Sequence, residues 1–264
     1  MALMGKLVYG GKNMSNNMQP HIRCCSNDVA KYAIMPGDPE RVERVKKFLD
    51  NPIDIAFNRE YKSCSGFYKG VKVMVVSTGI GGASTGIAVE ELKNIGVQTL
   101  IRIGSCGALQ SNIKLGELII ANGAVRDEGT SKAYVENSYP AVPDTDVLIS
   151  LIESARELDC NYYCGKIRSH DSFYTDKEQE IDEYWRKKGI LGADMESAAL
   201  FVIGGIRNLK TASVLNVVVE YDGNLDTGIN SYVNGESVTS LGEKKEILTV
   251  LEAIVKLDKV KNKF

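Results

Sequence analysis

The sequence predicts an α/β sandwich with a mostly parallel or mixed central sheet. Apolar, β-branched runs alternate along the chain with stretches whose apolar residues recur near a 3.6-residue period. That strand-then-helix order suits a sheet covered by helices. No composition shift, Pro/Ser-rich linker or internal repeat divides the 264 residues, so one domain is expected.

Residues 1–20 hold no sustained apolar pattern and read as a flexible polar tail, leaving 21–264 as the domain. Tyr32–Met35 is the first apolar run and reads as a strand, followed by a helix over Pro39–Leu49 at helical apolar spacing. Val71–Ser77 and Thr99–Ile103 are β-branched and read as strands, with the helix Ser84–Ile95 between them. Leu118–Ala124 is another apolar strand. Periodic stretches over Asp144–Leu158, Lys177–Lys188 and Asp194–Ile206 read as helices. Thr211–Val219 is the last strand and Leu241–Leu257 the last helix.

Composition removes several functional classes. The hydrophobic fraction of 44%, charged fraction of 25% and net charge of −2 are those of an ordinary globular protein with no basic surface for nucleic acid. The longest apolar runs, Val71–Val76 and Ala198–Ile203, fall far short of the roughly 20 residues that span a bilayer. The N-terminus has neither a sustained apolar stretch nor a small-residue cleavage site, so no secretion is signalled. Six cysteines form no Cys-x-x-Cys pair, and the two histidines, His21 and His170, do not flank them at zinc-binding spacing. Free thiols in a cytoplasmic protein are expected. Cys106 reads as a small turn residue rather than a nucleophile, because no histidine is close in sequence to activate it.

Three arginines stand out. Arg41 follows Pro36-Gly37-Asp38-Pro39, Arg59 precedes Glu60-Tyr61, and Arg102 interrupts the apolar strand Thr99–Ile103 just before Gly104-Ser105-Cys106-Gly107. A guanidinium keeps its charge and presents a rigid fork of donors, which suits a doubly charged oxyanion. Arg41 and Arg59 taken singly read either as solvated surface charges, the commoner case for an arginine, or as parts of an oxyanion site. Arg102 stands at the carboxyl end of a buried strand, where open α/β sheets bind their ligands, and its burial demands an anionic partner.

Gly79-Ile80-Gly81-Gly82 looks like the start of a dinucleotide fingerprint, but the final glycine is replaced by Ser84 and no acidic residue closes a second strand. The glycines instead let a strand turn tightly into a helix and bring backbone close to a ligand or a neighbouring chain. Glu196 falls at helical spacing with Ala199, Leu200 and Ile203, an apolar face that a carboxylate occupies only when it is hydrogen-bonded. Sugar hydroxyls would satisfy both oxygens, and so would a position near the helix start. Phe173-Tyr174 is an aromatic pair in a polar loop, either core or a platform for a heterocyclic base.

Together these segments resemble the nucleoside phosphorylase family of uridine phosphorylases and hexameric purine nucleoside phosphorylases. The motifs are Pro36-Gly37-Asp38-Pro39-Glu40-Arg41-Val42, Ser77-Thr78-Gly79-Ile80-Gly81-Gly82, Arg102-Ile103-Gly104-Ser105-Cys106-Gly107-Ala108 and Asp194-Met195-Glu196-Ser197, within a similarity running from about His21 to the C-terminal helix. The resemblance implies a three-layer sandwich, a central mixed β-sheet flanked by helices. It also implies phosphorolysis of a ribonucleoside to free base and ribose 1-phosphate, with inorganic phosphate as co-substrate and no required cofactor. Gly37, Arg41, Arg59, Arg102 and Ser105 match residues that hold phosphate, and His21, Met195 and Glu196 match residues that hold ribose. Arg102 and Glu196 are the expected catalytic pair. His21 and Arg59 would reach into a partner's site, which implies a dimer-based homo-oligomer, usually a hexamer. A monovalent cation between subunits would lie near Glu60, Ile80 and Ser84.

For the base, similarity favours uridine. Phe173 would pack on it, Val218 and Val219 would line an apolar slot, Gln179 would read the polar edge and Lys177 would support charge on the departing pyrimidine. The alternative is a purine nucleoside phosphorylase acting on inosine or adenosine, with Asp222 or Glu220 as general acid. Two further classes, a hydrolytic nucleosidase and a non-catalytic nucleoside-binding protein, would show no dependence on phosphate.

Overall fold

In the computed structural model, residues 17–221, 223 and 237–261 are described; residues 1–16 of the expected tail lie outside this range. Gln19, from the same stretch, is buried, and its N–H donates to the Cys24 carbonyl at 2.9 Å.

The first half of the chain builds one side of a sheet. β1 (Tyr32–Pro36) leads into helix α1 (Pro39–Lys46), and β2 (Asp50–Asn58), β3 (Tyr61–Tyr68) and β4 (Val71–Val76) form an antiparallel meander. Helix α2 (Gly82–Ile95) then crosses to β5 (Thr99–Ala108). The second half comprises β6 (Leu118–Asp127), α3 (Thr130–Tyr134), α4 (Thr145–Glu157), β7 (Tyr162–His170), α5 (Glu178–Arg186), β8 (Gly192–Asp194), α6 (Ser197–Ile206), β9 (Lys210–Val219) and α7 (Ser237–Lys261).

The described strands form one mixed sheet in the order β2-β3-β4-β1-β5-β8-β7-β6-β9. A further parallel pairing of β5 with β9 closes β5, β8, β7, β6 and β9 into a ring. Period-two alternation on the strands divides the core into two halves. Leu100 of β5, Met74 of β4 and Leu215 of β9 face α2 and α6, while Ile101, Val75 and Val214 face α1, α4 and α7. This is the three-layer arrangement that the sequence led us to expect.

Several boundaries differ from the sequence reading, each for a local reason. Strands β2, β3, β7 and β8 were not expected. β2 is mostly exposed and mixes Asp and Asn with its apolar residues, β3 is rich in small polar residues, β7 carries Lys166 and Arg168, and β8 has only three residues. Gly104-Ser105-Cys106-Gly107 does not break the chain. It continues β5, paired with β9 through Gly107, with a register shift at Cys106/Gly107. Helix α6 begins at Ser197, because Asp194 ends β8 and its carboxylate accepts the Ser197 N–H at 3.0 Å. Helix α1 starts cleanly, since Asp38 caps it by accepting the Glu40 N–H at 2.8 Å and Pro39 occupies the first helical position.

Candidate active site

The site forms where β5 ends between helices of opposite faces. Arg102 shares its strand face with Leu100, toward α6, and is 4% exposed. Its Nε donates to Asp194 Oδ2 at 3.0 Å and its Nη2 pairs with Glu196 Oε2 at 2.6 Å. Nη1 is buried without a hydrogen-bond partner among the described residues. A buried guanidinium with one donor unspent is costly, so this donor is ready for an anion. Asp194 is in turn saturated, accepting also from the hydroxyls of Ser197 and Ser169.

Arg41 reaches the same strand end from the α7 face. Its Nη2 donates to Ser105 Oγ at 2.9 Å, its Nη1 to the Ile103 carbonyl at 3.3 Å and its Nε to Glu243 Oε2 at 2.9 Å. Glu243 also pairs with Arg44, which binds Asp38. Behind them Glu246 is fully buried, one oxygen accepting the Gly104 N–H at 2.7 Å and the other 4.0 Å from Arg41 Nη1, without a hydrogen bond among the described residues. These two glutamates lie at i and i+3 on the buried face of α7, a signal that was present in the sequence and was not read.

Burial pushes the Glu246 carboxyl up from 4.5 to about 8, against the pull of Arg41. The folded protein therefore keeps a proton that the unfolded chain releases above pH 4.5, so this group destabilises the fold increasingly as pH rises from 4.5 toward 8. Glu246→Gln is expected to raise stability at pH 8 by roughly 1–3 kcal/mol, with the gain fading toward pH 4.5. Denaturant midpoints at matched protein concentration check this; a gain that grows toward acid pH contradicts it.

Glu196 does not lie on the apolar face of a helix. It is the residue before α6, and its Oε1 accepts the Gly81 N–H at 2.6 Å at the start of α2. Gly81 and Gly79 make that approach possible, with φ of 99° and 71°. A Cβ on Gly79 would also lie 2.7 Å from Glu60 Cγ. Burial raises the Glu196 carboxyl, while the adjoining Arg102 opposes that rise.

A cavity of about 820 Å³ gathers these groups. Of the residues expected to hold phosphate, Gly37, Arg41, Arg102 and Ser105 line it, as do Met195 and Glu196 for ribose, Phe173, Val218 and Val219 for the base, and Glu60 and Ile80. Arg59, His21, Lys177, Gln179 and Ser84 do not line it. Arg59 is exposed at the tip of the β2–β3 hairpin with φ 56°. His21 binds Glu91 of α2 through Nδ1 at 2.6 Å, and Asn58 Nδ2 donates to its carbonyl at 2.7 Å, placing it beside Arg59. Lys177 and Gln179 are exposed at the start of α5, a helix with no buried residue. Ser84 Oγ donates to the Ile80 carbonyl at 3.2 Å. Glu220 is held outside, accepting the Leu115 N–H at 3.3 Å, while Asp222 lies outside the described residues. Asp194 and His170 line the cavity and were not singled out from sequence.

Residues 31–244 match the model of the phosphorylase superfamily. A uridine phosphorylase of Thermococcus kodakarensis is 45% identical over 212 residues, 76% of each chain. A guanosine phosphorylase of Halorubrum lacusprofundi is 41% identical, over 80% of this chain and 85% of that protein. A crystal structure of uridine phosphorylase from Vibrio fischeri superposes with a TM-score of 0.85 at 48% identity, covering 93% of this chain and all of that one.

Proposed function

The chain belongs to the phosphorylase superfamily, and on that premise we propose that it cleaves uridine with inorganic phosphate to uracil and ribose 1-phosphate. The observation that carries this is the convergence of two buried guanidiniums, Arg41 and Arg102, on the end of β5, with one Arg102 donor unspent in a cavity lined by Glu196. Phosphate binds Arg41, Arg102, Ser105 and the Gly37 turn, and Glu196 accepts hydrogen bonds from the ribose hydroxyls. Phosphate then stands at the anomeric carbon. As the C1′–N1 bond breaks and its electrons pass to uracil, the phosphate charge stabilises the oxocarbenium ion and one phosphate oxygen bonds C1′; the uracil anion takes up one proton and the hydrogen phosphate gives one up, so the step balances. Phosphate is a co-substrate and no cofactor is needed.

His21 and Arg59 lie together outside this cavity, which supports a role in completing the partner's site in a homodimer, with three dimers in a hexamer. A monovalent cation at Glu60, Ile80 and Ser84 belongs to that same interface. A monomer with full activity in a solution mass measurement excludes the shared site. Among the described residues no helix is long and apolar enough to cross a membrane, and six free cysteines support a cytoplasmic location.

Uridine incubated with the protein and phosphate is expected to give uracil and ribose 1-phosphate in equal amounts. Without phosphate, base release should fall by roughly a hundredfold or more, since the attacking group and its charge are both lost. Equal release in both conditions means hydrolysis, and binding without release means a non-catalytic binder. The similarity to a guanosine phosphorylase supports a second reading, a purine nucleoside substrate. Side-by-side rates for uridine, thymidine, guanosine, inosine and adenosine decide between them.

A further inference from the structure

The polar groups that line the cavity are largely committed. Arg41, Arg102 and Ser105 face the phosphate end, Glu196 is assigned to ribose, and Asp194 is spent on Arg102, Ser169 and Ser197. Asp38 caps α1 and pairs with Arg44. Lys177 and Gln179, the expected readers of the base, are exposed outside the cavity. His170, at the carboxyl end of β7, lines the cavity in company with Phe173, Tyr174, Val218 and Val219.

The ring of His170 is oriented by its neighbour: Nδ1 lies 2.9 Å from the Ser172 carbonyl oxygen. A carbonyl only accepts, so Nδ1 carries the proton and the neutral ring leaves Nε2 with a lone pair. Burial and the nearby Arg168 lower the basicity of the ring and keep it neutral. Nε2 makes no hydrogen bond among the described residues.

We propose that His170 Nε2 is the specificity-determining acceptor for the ring N–H of the base, selecting bases that carry a lactam N–H. Uracil presents this group at N3, and 6-oxopurines present it at N1. Cytosine and adenine present a lone pair at the same ring atom, which would face the imidazole lone pair. A site built to bond a polar edge rejects analogues that leave its own group unpaired. This inference rests on the proposed phosphorolysis and adds to it the class of base.

The test is the ratio of kcat/KM for uridine to that for 3-methyluridine, measured in the native enzyme, His170→Ala and His170→Gln. The native ratio should be high and fall by roughly tenfold or more in His170→Ala, because the loss falls on uridine and spares the N-methylated substrate. His170→Gln, whose amide oxygen accepts, should recover part of the ratio. A loss that lowers both substrates equally indicates a structural role and overturns the proposal, as does an unchanged ratio. If the native enzyme leaves uridine intact and cleaves inosine, the uridine reading fails on its own. The same ratio for inosine against 1-methylinosine then decides the role of His170, a tenfold fall supporting it and no fall overturning it.

Discussion

Arg102→Ala is expected to reduce kcat/KM for phosphate by roughly 30- to 5,000-fold, the loss associated with about 2–5 kcal/mol when one member of a buried charged pair is removed. The same substitution also weakens the fold. Arg102 is the cation that both Asp194 and Glu196 bind, so its loss leaves two carboxylates buried at 4% and 5% exposure. Breaking such a pair costs roughly 3–5 kcal/mol. Because one guanidinium serves both acids as well as the expected phosphate, the effects on phosphate use and on folding are comparable. Arg102→Lys separates them. A lysine keeps a positive charge near the acids but lacks the planar fork that serves two carboxylates and an anion at once. It should retain most of the stability while phosphate use stays strongly impaired. Near-normal phosphorolysis in Arg102→Ala, alongside a lowered unfolding midpoint, assigns Arg102 to the scaffold and removes it from the phosphate site.

Gly104→Ala is expected to disable the site with less damage to the fold. A Cβ at position 104 would lie 2.4 Å from Nη2 and 2.6 Å from Cζ of Arg102, so the guanidinium has to move. Nη2 is the atom that holds Glu196, and Nη1 is the buried donor without a hydrogen bond among the described residues, the one proposed to meet phosphate. Displacing a positioned group by about 1 Å costs on the order of a hundredfold in rate. We expect kcat/KM for phosphate to fall by about that factor, with a smaller loss of stability than in Arg102→Ala, because both carboxylates keep their cation. Steady-state kinetics at varied phosphate with parallel denaturant unfolding give both numbers. Unchanged phosphate kinetics would show that Arg102 can be moved freely and has no fixed catalytic position.

The sequence by itself determined the layered α/β architecture and named most of the residues that gather at the end of β5, Gly37, Arg41, Arg102 and Ser105 among them. Strong local signals explain why. Pro36-Gly37-Asp38-Pro39 specifies a turn, an N-cap and a first helical residue, and a lone Arg102 among Leu100, Ile101 and Ile103 marks a charge that must be compensated. What local pattern does not carry, the tertiary structure decided. The exposed β2 and the three-residue β8 have too little apolar alternation to be read alone, and their strand geometry comes from pairing with other strands, for β8 with partners far away in the chain. Glu196 looked like one face of a helix because Asp194-Met195-Glu196 adjoins a helical run, yet Asp194 ends a strand and its carboxylate caps the first turn of α6. The ion pairs of Arg102 with Asp194 and of Arg41 with Glu243 join residues separated in sequence by 92 and 202 positions. No spacing rule reports such contacts, because they exist only once β5 has been placed between α6 and α7.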